Sequence, residues 1–139
     1  MLNNEKKNAL HKAQLYRLLI CLLDNKQIAA NIFFKGGTCT AMLGFLDRFS
    51  VDLDFDLKKG ADKQDLRKEL HVIFKDLQLE VKDESKRALQ FFLKYQAPQG
   101  QRNTIKLEIL DNPFLSIDYS PQFLREIDRT AICQTKECI

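Results

Sequence analysis

No part of the chain approaches the roughly 18 consecutive apolar residues that a membrane-spanning helix needs. The longest apolar run near the N-terminus, Leu18 to Leu23, follows a charged helical pattern and does not read as a signal peptide. The four cysteines, Cys21, Cys39, Cys133 and Cys138, form no C-x-x-C pair. No histidine lies near Cys133 and Cys138 to complete a zinc site. Reduced thiols and a cytoplasmic location are therefore expected, with Cys21 a core position in an apolar helix. There are only two histidines, His11 and His71, both in helical patterns where they read as surface or packing residues. The charge excess is also small, a formal +3, which permits a nucleic-acid partner without demanding one. Internal repeats, linkers and low-complexity tracts are absent.

The 139 residues are 45% hydrophobic and 29% charged, the composition of one ordinary globular domain. Glu5 to Asn25 reads as a helix with Leu15, Leu19 and Leu22 on its apolar face, ended by the polar "DNKQ". "NIFFKGG" is a short apolar strand stopped by glycines. Thr38 to Phe45 forms a short helix with Thr38 as its N-cap. Val51 to Leu57 alternates as a strand, with Val51, Leu53, Phe55 and Leu57 on the buried side. A helix begins at Ala61 or Asp62 and buries Leu66, Leu70, Ile73, Phe74 and Leu77. Strands follow at 78–83, 88–97 and 103–110, the last two joined by the hairpin-like "APQGQRN". "DNP" at Asp111–Pro113 and "SP" at Ser120–Pro121 read as breaks, with a further strand near Thr130–Cys133 and a helix from about Thr135. The expected class is α/β: a mixed β-sheet with flanking helices. The chain stops at "TKECI" as a helix is being spelled, so a single domain over 1–139, truncated at its C-terminus, is expected.

One stretch conflicts with ordinary strand composition. "FKGGTCTAMLGFLDRFSVDLDFDL" places Asp52, Asp54 and Asp56 at alternate positions of a strand, where Asp is disfavoured. Alternate side chains share a face, roughly 6–7 Å apart. Each such pair repels by about 0.6 kcal/mol in water and about 2.5 kcal/mol at an effective dielectric of 20. Water or a cation must offset that. Two carboxylates at this spacing suit hard cations such as magnesium, which also take substrate phosphates. A solvated strand face is the simpler alternative. Gly36 and Gly37 remove side chains just before a helix N-terminus, where backbone N–H groups could meet phosphate; such a pair is more often only a tight turn. In "NTIKLEIL", Ile105, Leu107 and Ile109 form one face, and Lys106 and Glu108 the other. If that strand neighbours the aspartate strand, Glu108 supplies a third carboxylate. Phe91, Phe92 and Tyr95 read as packing residues rather than base-stacking platforms.

The glycine turn, the D-x-D pair and a later carboxylate on a separate strand resemble the active-site segment of the nucleotidyltransferase superfamily. The wording "FKGGT…RFSVDLDFDL" is close to the AbiEii/AbiGii family of nucleotidyltransferase-like toxins from abortive-infection and toxin–antitoxin pairs, and a weaker likeness continues through "DYSPQFL…TKEC". The resemblance implies a nucleotidyltransferase-like core and transfer of a nucleoside monophosphate from an NTP. It implies an RNA acceptor, tRNA included, or a protein acceptor, and a cognate antitoxin protein. It implies that Asp52, Asp54 and Glu108 are catalytic and bind Mg2+ or Mn2+. Gly36, Gly37, Thr38, Ser50, Arg48 and Lys106 are implied to serve the nucleotide, with Asp56 outside the metal pair. The family also has a lysine-bearing helix and a larger helical C-terminal part that are not seen in this sequence. A module that keeps the fold without turnover is the alternative, and an RNA-binding domain without nucleotide chemistry is a third reading.

Overall fold

The computed structural model describes residues 4–45, 50–111 and 118–134. Helix α1 (Asn4–Asp24) buries Leu15, Leu18, Leu19 and Leu22 completely, the i, i+3, i+4, i+7 stripe of a helix lying on a core. It does not run out into a polar loop. The Asn25 side chain accepts a hydrogen bond from the Ile28 N–H at 2.9 Å and caps a second short helix, α2 (Lys26–Ala29). Strand β1 (Ile32–Lys35) leads directly into helix α3 (Gly36–Met42). Strand β2 (Leu53–Leu57) is followed by helix α4 (Lys63–Asp76), whose N-terminal N–H groups at Gln64 and Asp65 are capped by the Asp62 carboxylate. Strands β3 (Glu80–Glu84), β4 (Leu89–Lys94), β5 (Thr104–Asp111), β6 (Tyr119–Leu124) and β7 (Arg129–Gln134) complete the order.

All strands join one seven-stranded sheet in the order β3-β4-β5-β2-β1-β7-β6. The β2–β5 and β1–β7 pairings are parallel and the other four antiparallel, so the sheet is mixed, as the sequence implied. One face carries Phe34, Leu53, Phe55, Leu57, Leu89, Phe91, Leu93, Ile105, Leu107 and Ile109, all buried with the leucines of α1 and α4 in a single core. Phe34 and Phe55 stack at 5.2 Å between ring centroids. The opposite face carries Phe33, Lys35, Asp54, Asp56, Gln90, Phe92, Lys106 and Glu108, and holds the polar chemistry.

Three expectations need correction. Thr38 is not an N-cap: α3 starts at Gly36, Lys35 takes the cap position without a side-chain hydrogen bond, and the Thr38 hydroxyl is spent elsewhere. The acidic strand begins at Leu53, so Val51 and Asp52 precede its ladder. Ser120 and Pro121 lie inside β6 rather than breaking the chain, because β6 is a sheet edge where a residue without an N–H is tolerated. Phe91 and Tyr95 are buried, in line with packing roles. Cys21, Cys39 and Cys133 are free thiols, and Cys21 is half-buried against the core. The helix expected from Thr135 and the position of Arg48 lie outside the described residues. No helix among the described residues is long and apolar enough to cross a membrane.

This packing sets a contrast between two apolar positions. Phe55→Ala, in the centre of the core, should cost about 3–5 kcal/mol. Val72→Ala, on a position of α4 that is 55% exposed, should stay within about 0.5 kcal/mol. Urea unfolding of both variants checks the pair.

Candidate active site

Residues opposite one another in a ladder project from the same face. Lys35 of β1 lies opposite Asp54 of β2, Asp54 opposite Glu108 of β5, and Glu108 opposite Gln90 of β4. The register therefore draws a single row, Lys35–Asp54–Glu108–Gln90, across four neighbouring strands. Lys106, two residues before Glu108, shares its face, and its ammonium sits 2.6 Å from Glu108 Oε1. The Gln90 amide donates to the same oxygen at 2.7 Å.

The glycine turn stands at one end of this row. Gly36 has φ +83°, a conformation that L side chains rarely adopt, and a Cβ there would lie 2.6 Å from Asp54 Oδ2. A Cβ on Gly37 would lie 2.8 Å from Ser50 Oγ. The two glycines thus let β2 and the segment before it approach the start of α3 closely, where the first N–H groups of a helix lack intrahelical acceptors. The Thr38 hydroxyl donates to the Asp52 carbonyl. The Val51 carbonyl accepts from His11 Nε2 at 2.8 Å.

The charges are unevenly balanced. Burial, then the negative charges of Glu108 and Asp52, push the Asp54 carboxyl above its ordinary pKa, and Lys106 and Lys35 only partly oppose this. Burial works against ionised Glu108 as well. Hydrogen bonds from Lys106 and Gln90, with the charges of Lys106 and Lys35, outweigh it and hold Glu108 below the usual range. The hydrogen bond to Glu108 in turn raises Lys106. Asp56 plays a different part: it is fully buried, 2.6 Å from the Lys35 ammonium, and accepts a hydrogen bond from the Tyr119 hydroxyl. Tyr119 stacks on Phe33 at 4.3 Å between centroids. A buried carboxylate needs such partners, and here they tie β1 and β6 to β2.

Of the residues singled out from sequence, Gly36, Asp54, Glu108 and Lys106 meet around the row, with Gly37, Thr38, Ser50 and Asp52 at its glycine end. Arg48 lies outside the described residues. Lys35, Gln90 and His11 were not singled out as site residues. Lys35 adjoins the glycine turn and could have been flagged on that ground, whereas Gln90 and His11 join through register and packing that leave no local signature. Among the described residues, no three His, Cys, Asp or Glu side chains are already grouped to hold a metal ion. The donor chemistry nevertheless suits a hard divalent cation: Asp52 and Asp54 could supply carboxylate oxygens, and Asp54, whose pKa is raised first by burial and then by the charges of Glu108 and Asp52, packs against the glycine turn.

A family model described as "Nucleotidyl transferase AbiEii toxin, Type IV TA system" matches residues 17–133. The fold is similar to that of JHP933 from Helicobacter pylori, with a TM-score of 0.62 and 20% identity over 100% of this chain and 56% of that one. It is also similar to a candidate nucleotidyltransferase from H. pylori, with a TM-score of 0.59 and 18% identity over 99% of this chain and 57% of that one. The chain thus spans a little over half the length of these solved structures. No curated protein sequence matches it.

The unequal charges make Asp54 and Glu108 respond oppositely to pH. The folded-state pKa of Asp54 is raised, so its contribution to stability is present below its unfolded pKa and lost as pH rises through the folded value. Asp54→Asn should therefore raise the melting temperature at neutral pH, with the gain shrinking in acid. The folded-state pKa of Glu108 is lowered, so its contribution is present above the unfolded pKa and lost as pH falls through the folded value. Glu108→Gln should lower the melting temperature at neutral pH and matter less in acid. Thermal denaturation of both variants from acid to neutral pH checks the signs.

Proposed function

The chain belongs to the AbiEii nucleotidyltransferase toxin family, and from that membership we propose that it transfers a nucleoside monophosphate from an NTP to an RNA or protein acceptor, as the toxin partner of a cognate antitoxin. The observation that carries this reading is the row Lys35–Asp54–Glu108 set against the Gly36–Gly37 turn, where the Asp54 carboxylate packs against the start of α3. Triphosphate chemistry needs that combination: donors for phosphate oxygens on one side and hard carboxylates on the other.

Asp52 and Asp54 would hold Mg2+ or Mn2+, with Glu108 as the third carboxylate. Magnesium is ordinarily bound through one or two carboxylates plus substrate phosphates, so a protein-only cluster of three is not required. When bound, the ion supplies charge neutralisation at the phosphates and a lower pKa for the acceptor hydroxyl. The chain's own groups do the rest. The N–H groups of Gly36, Gly37 and Thr38 bind phosphate oxygens, and Ser50 lines the turn against Gly37. Lys106, drawn in by Glu108, adds positive charge. Glu108 faces the acceptor hydroxyl and orients it. The acceptor oxygen forms a bond to the α-phosphorus, the bond to pyrophosphate breaks with its electron pair, and the hydroxyl proton leaves through the carboxylates to solvent.

Amide NMR with a non-hydrolysable triphosphate tests the site as a unit. Shifts should require magnesium and cluster on residues 35–56 and around Glu108. Gly37→Val should abolish them, because the new side chain meets Ser50 where the phosphates would enter. Lys75→Ala, on the exposed side of α4, should leave them unchanged. Shifts confined to Phe91–Tyr95, or none at saturating ligand, would favour a fold kept for binding alone.

A further inference from the structure

Asp52 is the one proposed metal ligand that lies outside a regular element, immediately before β2. Side chains from two helices grip the backbone at this point. His11, 1% exposed on α1, directs Nε2 at the Val51 carbonyl at 2.8 Å. A carbonyl only accepts, so Nε2 carries the hydrogen. Burial holds the His11 pKa below its ordinary value, partly opposed by the Val51 bond, so Nδ1 is a lone-pair acceptor at neutral pH. The Tyr95 hydroxyl lies 2.5 Å from Nδ1 and 2.9 Å from the Arg102 carbonyl; its single hydrogen serves only one of these two acceptors at a time, so this contact holds the ring in place while the Val51 bond sets the tautomer. From the other side, Thr38 of α3, 3% exposed, donates its hydroxyl to the carbonyl of Asp52 itself.

We propose that His11 and Thr38 are positioning residues that set the direction in which the Asp52 side chain leaves the backbone by clamping the Val51 and Asp52 carbonyls from α1 and α3. The inference rests on the metal role given to Asp52 above. Its physical basis is that two successive peptide planes determine where the intervening Cα–Cβ bond points. With the Val51 and Asp52 carbonyls both held, the Asp52 side chain leaves the backbone in one direction, although no full strand ladder surrounds it. Neither histidine nor threonine need touch nucleotide through its side chain for this to matter. The clamp also explains why the Thr38 hydroxyl is buried in the fold instead of being offered to a ligand.

The side-chain geometry of amides supplies the test. Glutamine can place an N–H near the imidazole Nε2 position, whereas asparagine reaches only to that of Nδ1. His11→Gln should therefore preserve the bond to Val51 and His11→Asn should lose it. Thr38→Ser keeps the hydroxyl and Thr38→Val removes it at nearly equal volume. Manganese titration by proton relaxation on the full chain should show affinity about 10-fold weaker or worse in His11→Asn and Thr38→Val, and close to wild type in His11→Gln and Thr38→Ser. Backbone order parameters at Val51 and Asp52 should fall from about 0.85 toward 0.6 in the two disrupting variants only. Amide shifts around Glu108 serve as the control for general folding. Equal manganese affinity and equally rigid amides in all four variants would overturn the clamp. If the wild type binds no manganese, the metal reading of the site fails by itself, and the order parameters still decide for or against the clamp. Should His11→Asn not fold, the Thr38 pair carries the same comparison.

Discussion

Strand register is the constraint on which this molecule depends. Because side chains alternate with a period of two, a slip of one residue between β2 and β5 would carry Asp54 or Glu108 to the core face and bring Phe55 or Ile109 out to solvent. The apolar burial of Leu53, Phe55, Leu107 and Ile109 forbids that slip. The hydrophobic core and the polar row are thus two readings of one alignment. The core supplies the free energy, and the site inherits its geometry from it. Asp56 reinforces the alignment from the polar side, since its buried carboxylate is matched by Lys35 from β1 and Tyr119 from β6.

Within the row, the balance of charge is deliberately incomplete. Glu108 has Lys106 and Gln90 and is comfortable as an anion. Asp54, one strand away, is not, and the lysine that could have served it, Lys35, is bound to Asp56. Such local discomfort is what functional sites commonly retain at the expense of stability. The glycines belong to the same compromise: they give up backbone entropy so that Asp54 and Ser50 can press against α3.

Much of this was legible in the sequence. The acidic strand, the glycine turn and the later polar-faced strand each showed in spacing, and their likeness to one family tied them together. That β2 and β5 are neighbours was posed as a condition, because nothing local to "VDLDFDL" or "NTIKLEIL" states which strands meet. Gln90 stayed hidden for the same reason: it looks like any outward residue of an amphipathic strand until β4 is laid beside β5. His11 was read as a surface or packing residue, since its partner at Val51 is a backbone carbonyl and carries no residue signature. Pro121 misled because its tolerance depends on β6 being the sheet edge, a fact of topology rather than of propensity. Thr38 misled in the opposite way: the residue preference for caps was sound, but β1 runs straight into α3 and leaves no loop for a cap to occupy.

The parallel β2–β5 pairing also bears on how the chain comes into being. Strands joined in parallel across α4, β3 and β4 meet only after a long closure, whose entropy must be met before the contact repays it. During synthesis, β1, α3 and β2 emerge well before β5, with Asp54 already flanked by Asp52 and facing no counterpart from β5. Glu108, Lys106 and the strand that aligns them arrive later. The polar row is therefore a late product of folding, and a nascent or partly folded chain carries the acidic strand without the groups that complete it.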